Sequence, residues 1–197
     1  WMTENLMTTN YANGDPINVH NFHQNQGNFN SPSYYNLFTS NVGYGYVYNG
    51  YAVLDGRNVC PSGWHVPSGQ EYEDLFLIFG SKTHDLPYGN NSNFHQDEYT
   101  PSGAALKDDL NWGGNDNETN YSHMSVFPTG YTWYMNGNNT SPGGITSQGL
   151  EAILWTTSEG GNSWQNNLAV TLFYNHTKAI FDLVGKSELR SVRCKKD

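Results

Sequence analysis

The order of local patterns along the chain predicts an α+β fold that is loop-rich, with one or two short helices and an antiparallel sheet at the C-terminal end. Helical apolar spacing is confined to the first half, Gly, Asn and Pro punctuate the middle, and strand-like runs follow one another near the end. No internal repeat and no Gly/Ser or charged linker breaks up residues 1–197, so one domain is expected.

Residues 1–50 are rich in Asn, Gly and Tyr, and His23–Asn30 has no period of either kind, which predicts long ordered loops with few strands. Ser68–Gly80 differs. Ser68 can cap, Glu71 stands three residues on as in a capping box, and Tyr72, Leu75, Phe76 and Phe79 share one helical face ending at Gly80. A second short helix is expected over Thr100–Asp109, where Pro101 suits a first turn. Between Asn111 and Gly149 only Ser125–Tyr134 reads as a strand. Four further strands are expected at Ile153–Thr157, Asn167–Tyr174, Ala179–Val184 and Ser191–Lys195.

Composition excludes several classes. Aromatic residues make up 15% and charged residues 14%, so enough large side chains are present to bury a core, and polarity comes from amides and hydroxyls. The net charge is -9, and the bases are scattered except near Arg190, Arg193, Lys195 and Lys196, which argues against a nucleic-acid partner. No apolar run is long enough for a membrane span, so no membrane insertion is expected. The sequence opens on Trp1 with no initiator Met and no leader pattern, which points to a processed or trimmed product or to a segment of a longer chain. Its two cysteines, Cys60 and Cys194, would pair in an exported protein; two unrelated buried thiols are the alternative.

The stretch YVYNGYAVLDGRNVCPSGWHVPSGQEY at Tyr46–Tyr72 resembles the signature of the Fibrobacter succinogenes major paralogous (FISUMP) domain, which pairs YNWYAV with CPxGWHVP and a following helix. Further landmarks agree in order: WMTENL from Trp1, LKDDLNW from Leu106, ETNYSHMSVFPTGY from Glu118, LWTTSE from Leu154 and SVRCKKD from Ser191. The chain departs from the pattern at Gly50, where Trp is usual, at His123–Met124, where Gly-Phe is usual, and throughout Leu168–Lys186. The resemblance implies a C-type-lectin-like fold, in which Cys60 and Cys194 staple the segment after the first loops to the last strand. It also resembles the scaffold that diversity-generating retroelements vary in bacterial surface proteins and phage tail-tip adhesins, where the varied stretch would be Trp164–Glu188. By that resemblance the protein is extracellular, on a bacterial surface or a virion. Family landmarks supply no activity.

Candidate site residues follow. Gln165, Asn167, Thr171, Phe173, His176, Lys178, Phe181 and Asp182 form a chemically mixed set of the kind binding surfaces use, although strand alternation must turn some of them inward. Trp133 and Tyr134 beside Asn136–Asn139 offer a loop-tip pair for a sugar or peptide to stack on, or else pack within the loops. Asp116, Glu118 and Asn120 are oxygen ligands of the type calcium takes, against the alternative of a solvated Asx turn; no cofactor is required and calcium is the one candidate. The Glu-Pro-Asn or Gln-Pro-Asp loop of calcium-dependent sugar-binding lectins is absent from the sequence. His20 and His23 lack a third ligand for zinc, and His65, inside GWHVP, reads as a buried ring bonded to backbone. Trp1, Trp64, Trp112, Trp155 and Trp164 read as core with paired indoles.

The expected function is a binding or adhesion module for a cell-surface protein or glycan, acting through the C-terminal sheet and its loops, and not an enzyme. A structural subunit of an extracellular assembly, self-associating or in a larger complex, is the alternative. A polysaccharide hydrolase ranks below both: G-x-S-x-G is missing, adjacent Asp108 and Asp109 would diverge, and Glu159 or Asp182 would have to face a second acid.

Overall fold

A computed structural model describes residues 1–20, 31–36, 44–87, 95–114, 117–132, 145–160 and 166–197. Among them the first strands are β1 (Asn18–Val19), β2 (Ser33–Asn36) and β3 (Tyr46–Asn49), followed by the single-turn α1 (Gly50–Val53), β4 (Trp64–His65) and α2 (Gly69–Phe79). Then come the hairpin β5 (Ser81–Pro87) and β6 (His95–Thr100), α3 (Ser102–Leu106), β7 (Tyr131–Thr132) and β8 (Ile145–Thr146). Longer strands close the chain: β9 (Glu151–Glu159), β10 (Asn166–Phe173) and β11 (Ala179–Gly185), with the short β12 (Leu189–Ser191) and β13 (Lys195–Lys196).

Helix α2 forms as its sequence dictates. Ser68 Oγ accepts from the Glu71 N–H at 3.2 Å and Glu71 Oε2 accepts from the Ser68 N–H at 2.9 Å, satisfying two donors that a helix start leaves open. Tyr72, Leu75 and Phe76 are buried and Phe79 packs against the same cluster. The second expected helix is shorter, because Lys107 leaves it to bridge Val126 and Pro101 stands just before it.

The sheet is mixed, larger than expected and not confined to the C-terminal end. Its order is β1-β2-β3-β12-β9-β10-β11-β6-β5, with β7 on β12 and β8 on β7, while β13 and β4 pair separately. Strands β9, β10 and β11 are antiparallel neighbours, but β12 lies parallel to β9 and antiparallel to β3, so a late strand joins the two halves of the chain. The N-terminal region contributes β1–β3 where mainly loops were expected. The β5–β6 hairpin was hidden by its polar, charged sequence, which suits a sheet edge. Of the expected strand Ser125–Tyr134 only Tyr131–Thr132 forms a strand among the described residues, with Val126 in an isolated bridge to Lys107 and Ser125 at φ 49° and Gly130 at φ 69° interrupting the run. Ser191–Lys195 splits into β12 and β13 because the Val192 and Cys194 carbonyls turn to accept from the Leu6 and Met2 N–H groups, both at 2.9 Å. The protein is thus mostly β with a few helices.

Both faces of the central strands are covered. One face carries Ile153, Trp155, Ala169 and Val184 in a cluster with Tyr48, Ala52 and the disulfide. The other carries Leu154, Val170, Leu172 and Phe181 against Tyr72, Phe76 and Leu106. Cys60 and Cys194 are bonded, with Cα atoms 6.0 Å apart. A buried structural disulfide marks an oxidising compartment outside the cytoplasm. No helix among the described residues is long and apolar enough to cross a membrane.

Candidate binding surface

The turn between β10 and β11 is held from below by α3. A Cβ on Gly103 would meet the Lys178 carbonyl oxygen at 2.0 Å, so glycine is what lets the helix approach this closely. The Ala104 N–H donates to the Thr177 carbonyl at 3.2 Å and Lys107 Nζ to the His176 carbonyl at 2.8 Å. Lys107 is fully buried, its Nζ 4.8 Å from the centre of the Trp112 ring. Burial pulls its ammonium down to about 8, with Glu118 opposing.

On this support stand Phe173, His176 and Lys178, all partly exposed. The Phe173 and His176 rings meet edge-on at 5.2 Å, and Lys178 Nζ pairs with Glu98 at 2.6 Å. His176 Nδ1 accepts from the Lys178 N–H at 3.3 Å, which assigns the ring proton to Nε2. Burial, then Lys107 and Lys178, hold the His176 imidazole below its ordinary range, so it is neutral at pH 7. Leu150 and Tyr174 flank the turn through a backbone hydrogen bond of 2.8 Å, and Leu110 is 89% exposed.

The rest of the expected contact set is dispersed. Asn167, Thr171 and Phe181 are buried, because a strand covered on both faces turns neither row of side chains to solvent. Asn167 Nδ2 donates to the Thr156 carbonyl at 2.6 Å, and the Phe181 ring lies 5.5 Å from Phe76 and 5.9 Å from Tyr99. Asn167 and Thr171 are corrected from contact to core positions, and Phe181 packs mainly into the core. Asp182 is partly exposed and caps the Leu183 N–H at 2.8 Å. Its charge also helps raise Glu151, whose carboxyl is pushed up mainly by burial and pulled down by Arg190. Gln165, Trp133 and Tyr134 lie outside the described residues, as do Trp164 and His23.

The calcium set is described only in part. Asp116 lies outside the described residues, and Asn120 is committed to its own loop: Oδ1 accepts from the Ser125 N–H at 3.0 Å and Nδ2 donates to Ser125 Oγ at 2.9 Å. Glu118 Oε1 is buried without a hydrogen-bond partner. No three His, Cys, Asp or Glu side chains converge among the described residues.

His65 corrects another expectation. Its ring is 36% exposed and bonds side chains, Glu71 at 3.0 Å through Nε2 and Asp197 at 2.6 Å through Nδ1. His20 is buried, with Nδ1 3.3 Å from Ser33 Oγ. Two of the tryptophans are buried with paired indoles as expected, Trp112 donating to the Val126 carbonyl at 3.0 Å and Trp155 to the Tyr48 carbonyl at 2.6 Å.

Sequence reasoning missed a cleft of about 400 Å³ between the start of α2 and strands β6 and β9–β11, lined by Gln70, Glu73, Asp97, Ser158, Leu168 and Phe181. Gln70 and Glu73 share one side of α2, a spacing the sequence does show. Asp97 comes from the unexpected hairpin, so nothing in the sequence places it there.

A family model described as the Fibrobacter succinogenes major domain (Fib_succ_major) matches residues 1–196. The chain belongs to this family. No curated protein and no solved structure gives a match. In this Fib_succ_major domain the stretches that resemble the family hold its internal joints: the capping box of α2, Trp112, Trp155, Arg193 and both cysteines. The departing stretch, Leu168–Lys186, contains the exposed β10–β11 turn.

Proposed function

We propose that this protein is an extracellular binding or adhesion module, built on a C-type-lectin-like scaffold, that recognises a cell-surface protein or glycan on behalf of a bacterial surface or a phage tail fibre. The observation that carries the reading is the β10–β11 turn. Phe173, His176 and Lys178 stand together, partly exposed, on a support of α3 and Lys107 that spares them the entropy of ordering on contact. The meeting of N-terminal and C-terminal segments, Met2 N–H to the Cys194 carbonyl and Leu6 N–H to the Val192 carbonyl, supports the scaffold assignment.

Hydrolysis of polysaccharide is less favoured. Glu159 pairs with Lys186 at 2.9 Å, and the two cleft acids each have an oxygen committed, Glu73 to the Tyr99 hydroxyl at 2.5 Å and Asp97 to Lys82 at 2.7 Å.

The test is a glycan-array and cell-binding screen of the oxidised protein, with and without chelator, against a Phe173→Ala/His176→Ala variant of unchanged thermal midpoint. Binding lost in that variant supports the turn as the contact surface, and chelator sensitivity would bring calcium back. A silent screen together with concentration-dependent self-association would replace the reading with a structural subunit.

A further inference from the structure

We propose that the cleft at the start of α2 binds a basic side chain, arginine in preference to lysine, presented by a partner protein. The cleft is lined from the β10–β11 hairpin by Leu168 and Phe181 and by none of Phe173, His176 and Lys178, so the inference does not depend on the turn being a contact surface. Its floor is apolar, made by Leu168 and the edge of Phe181, and its shape depends on Gly69, where a Cβ would strike Leu168 Cδ2 at 2.8 Å. Its walls carry two carboxylates and no cationic lining residue.

The hydrogen-bond inventory of the walls is lopsided. Glu73 Oε1 accepts from the Tyr99 hydroxyl at 2.5 Å, leaving Oε2 for a ligand. Asp97 Oδ2 takes Lys82 at 2.7 Å and Oδ1 is buried without a donor, so this carboxylate gives the cleft charge more than an open acceptor. Gln70 spends one of its two amide N–H groups on Asp74 at 3.0 Å and keeps the other together with its carbonyl oxygen. Ser158 Oγ accepts from the Gly69 N–H at 2.9 Å and has its own proton to give. The site therefore offers several acceptors and two donors, the second Gln70 N–H and the Ser158 hydroxyl. A sugar carries several hydroxyls, each donor and acceptor at once, and two donors would leave most of their lone pairs unanswered. An anion would meet two carboxylates. A guanidinium presents five donors and no acceptor, forks onto carboxylates, and travels on an aliphatic stem that matches the Leu168–Phe181 floor. The net charge of -9 favours encounter with a basic partner.

The experiment is a calorimetric and NMR titration of the whole oxidised protein with N-acetyl-arginine methylamide, its uncharged citrulline isostere, and methyl glycosides. The arginine probe is expected to shift Leu168 and Phe181 resonances and to bind about tenfold or more tightly than citrulline. Affinity should fall with added salt and drop about tenfold in Glu73→Gln and in Asp97→Asn. Asp97→Asn also touches the Lys82 pair, so Gln70→Lys, an exposed helix substitution that puts a cation at the mouth, serves as a second block. The Phe173→Ala/His176→Ala variant should bind the probe normally. Arginine binding that survives the Glu73, Asp97 and Gln70 variants, glycoside or citrulline binding of equal strength, or no binding by any probe would each overturn the proposal.

Discussion

Arg193 is a buried cation whose hydrogen bonds go to uncharged oxygens. Nε donates to Asn5 Oδ1 at 2.6 Å, Nη1 to the Met2 carbonyl at 3.2 Å and to the Met124 carbonyl, and Nη2 to the Ser125 carbonyl at 2.8 Å. Burial lowers the guanidinium to about 10, with Tyr72 and Glu4 opposing, so it stays charged at neutral pH. One side chain thereby ties the first segment, the middle loops and the end of the chain. Arg193→Ala leaves four acceptors without their donor and a void besides, and is expected to cost about 3 kcal/mol or more in urea unfolding. Arg193→Lys should recover less than half of that, because an ammonium cannot reproduce the fork. Full recovery by lysine would show that charge, and not geometry, is what the site needs.

At the scale of elements, α2 is clasped to the β4–β13 pair. Glu71 Oε1 takes Lys195 at 2.6 Å and His65 at 3.0 Å while its other oxygen closes the capping box. Burial would raise the Glu71 carboxyl, but Lys195, the Ser68 N–H and His65 outweigh it and hold the group at about 2, against an ordinary 4.5. A depressed folded value contributes stability above pH 4.5 that is lost as pH falls toward 2. His65 is raised by Asp197 first and by Glu71, so its contribution is complete below its ordinary 6.5 and is lost as pH rises through the folded value. Denaturation midpoints measured across pH should decline on both sides of a plateau between these values. Glu71→Gln should flatten the acid limb and His65→Gln the other; an acid limb unchanged in Glu71→Gln would assign it to other carboxylates.

At the scale of the whole molecule, the disulfide spans 134 residues and both half-cystines are fully buried. Closing so long a loop restricts the unfolded chain, so a Cys60→Ala/Cys194→Ala variant is expected to lose about 2–5 kcal/mol. Burial should also protect the bond, with thiol reagents reducing it only at denaturant concentrations that open the fold. Rapid reduction of the native protein, followed by mass, would mean that this corner opens locally. The mixed sheet explains why the joint matters: β12 sits between β3 and β9, so the C-terminal segment is what joins the early strands to the late ones.

What the sequence determined by itself is local or is carried by family landmarks. The α2 capping box, its buried face, and strands β9–β11 are written in short-range spacing and turn chemistry, which act before any long-range contact forms. Only the tertiary structure decided which strand residues face solvent. Alternation along Asn167–Asp182 suggests one wet row, yet α2 and the early strands cover both faces, and Asn167, Thr171 and Phe181 end up inside. The β5–β6 hairpin is polar enough to read as loop, and it forms because β11 offers it an edge to pair with. The cleft likewise needs Glu73, Asp97 and Ser158 from three separate elements, and juxtaposition across the chain is a property of packing that no local pattern encodes.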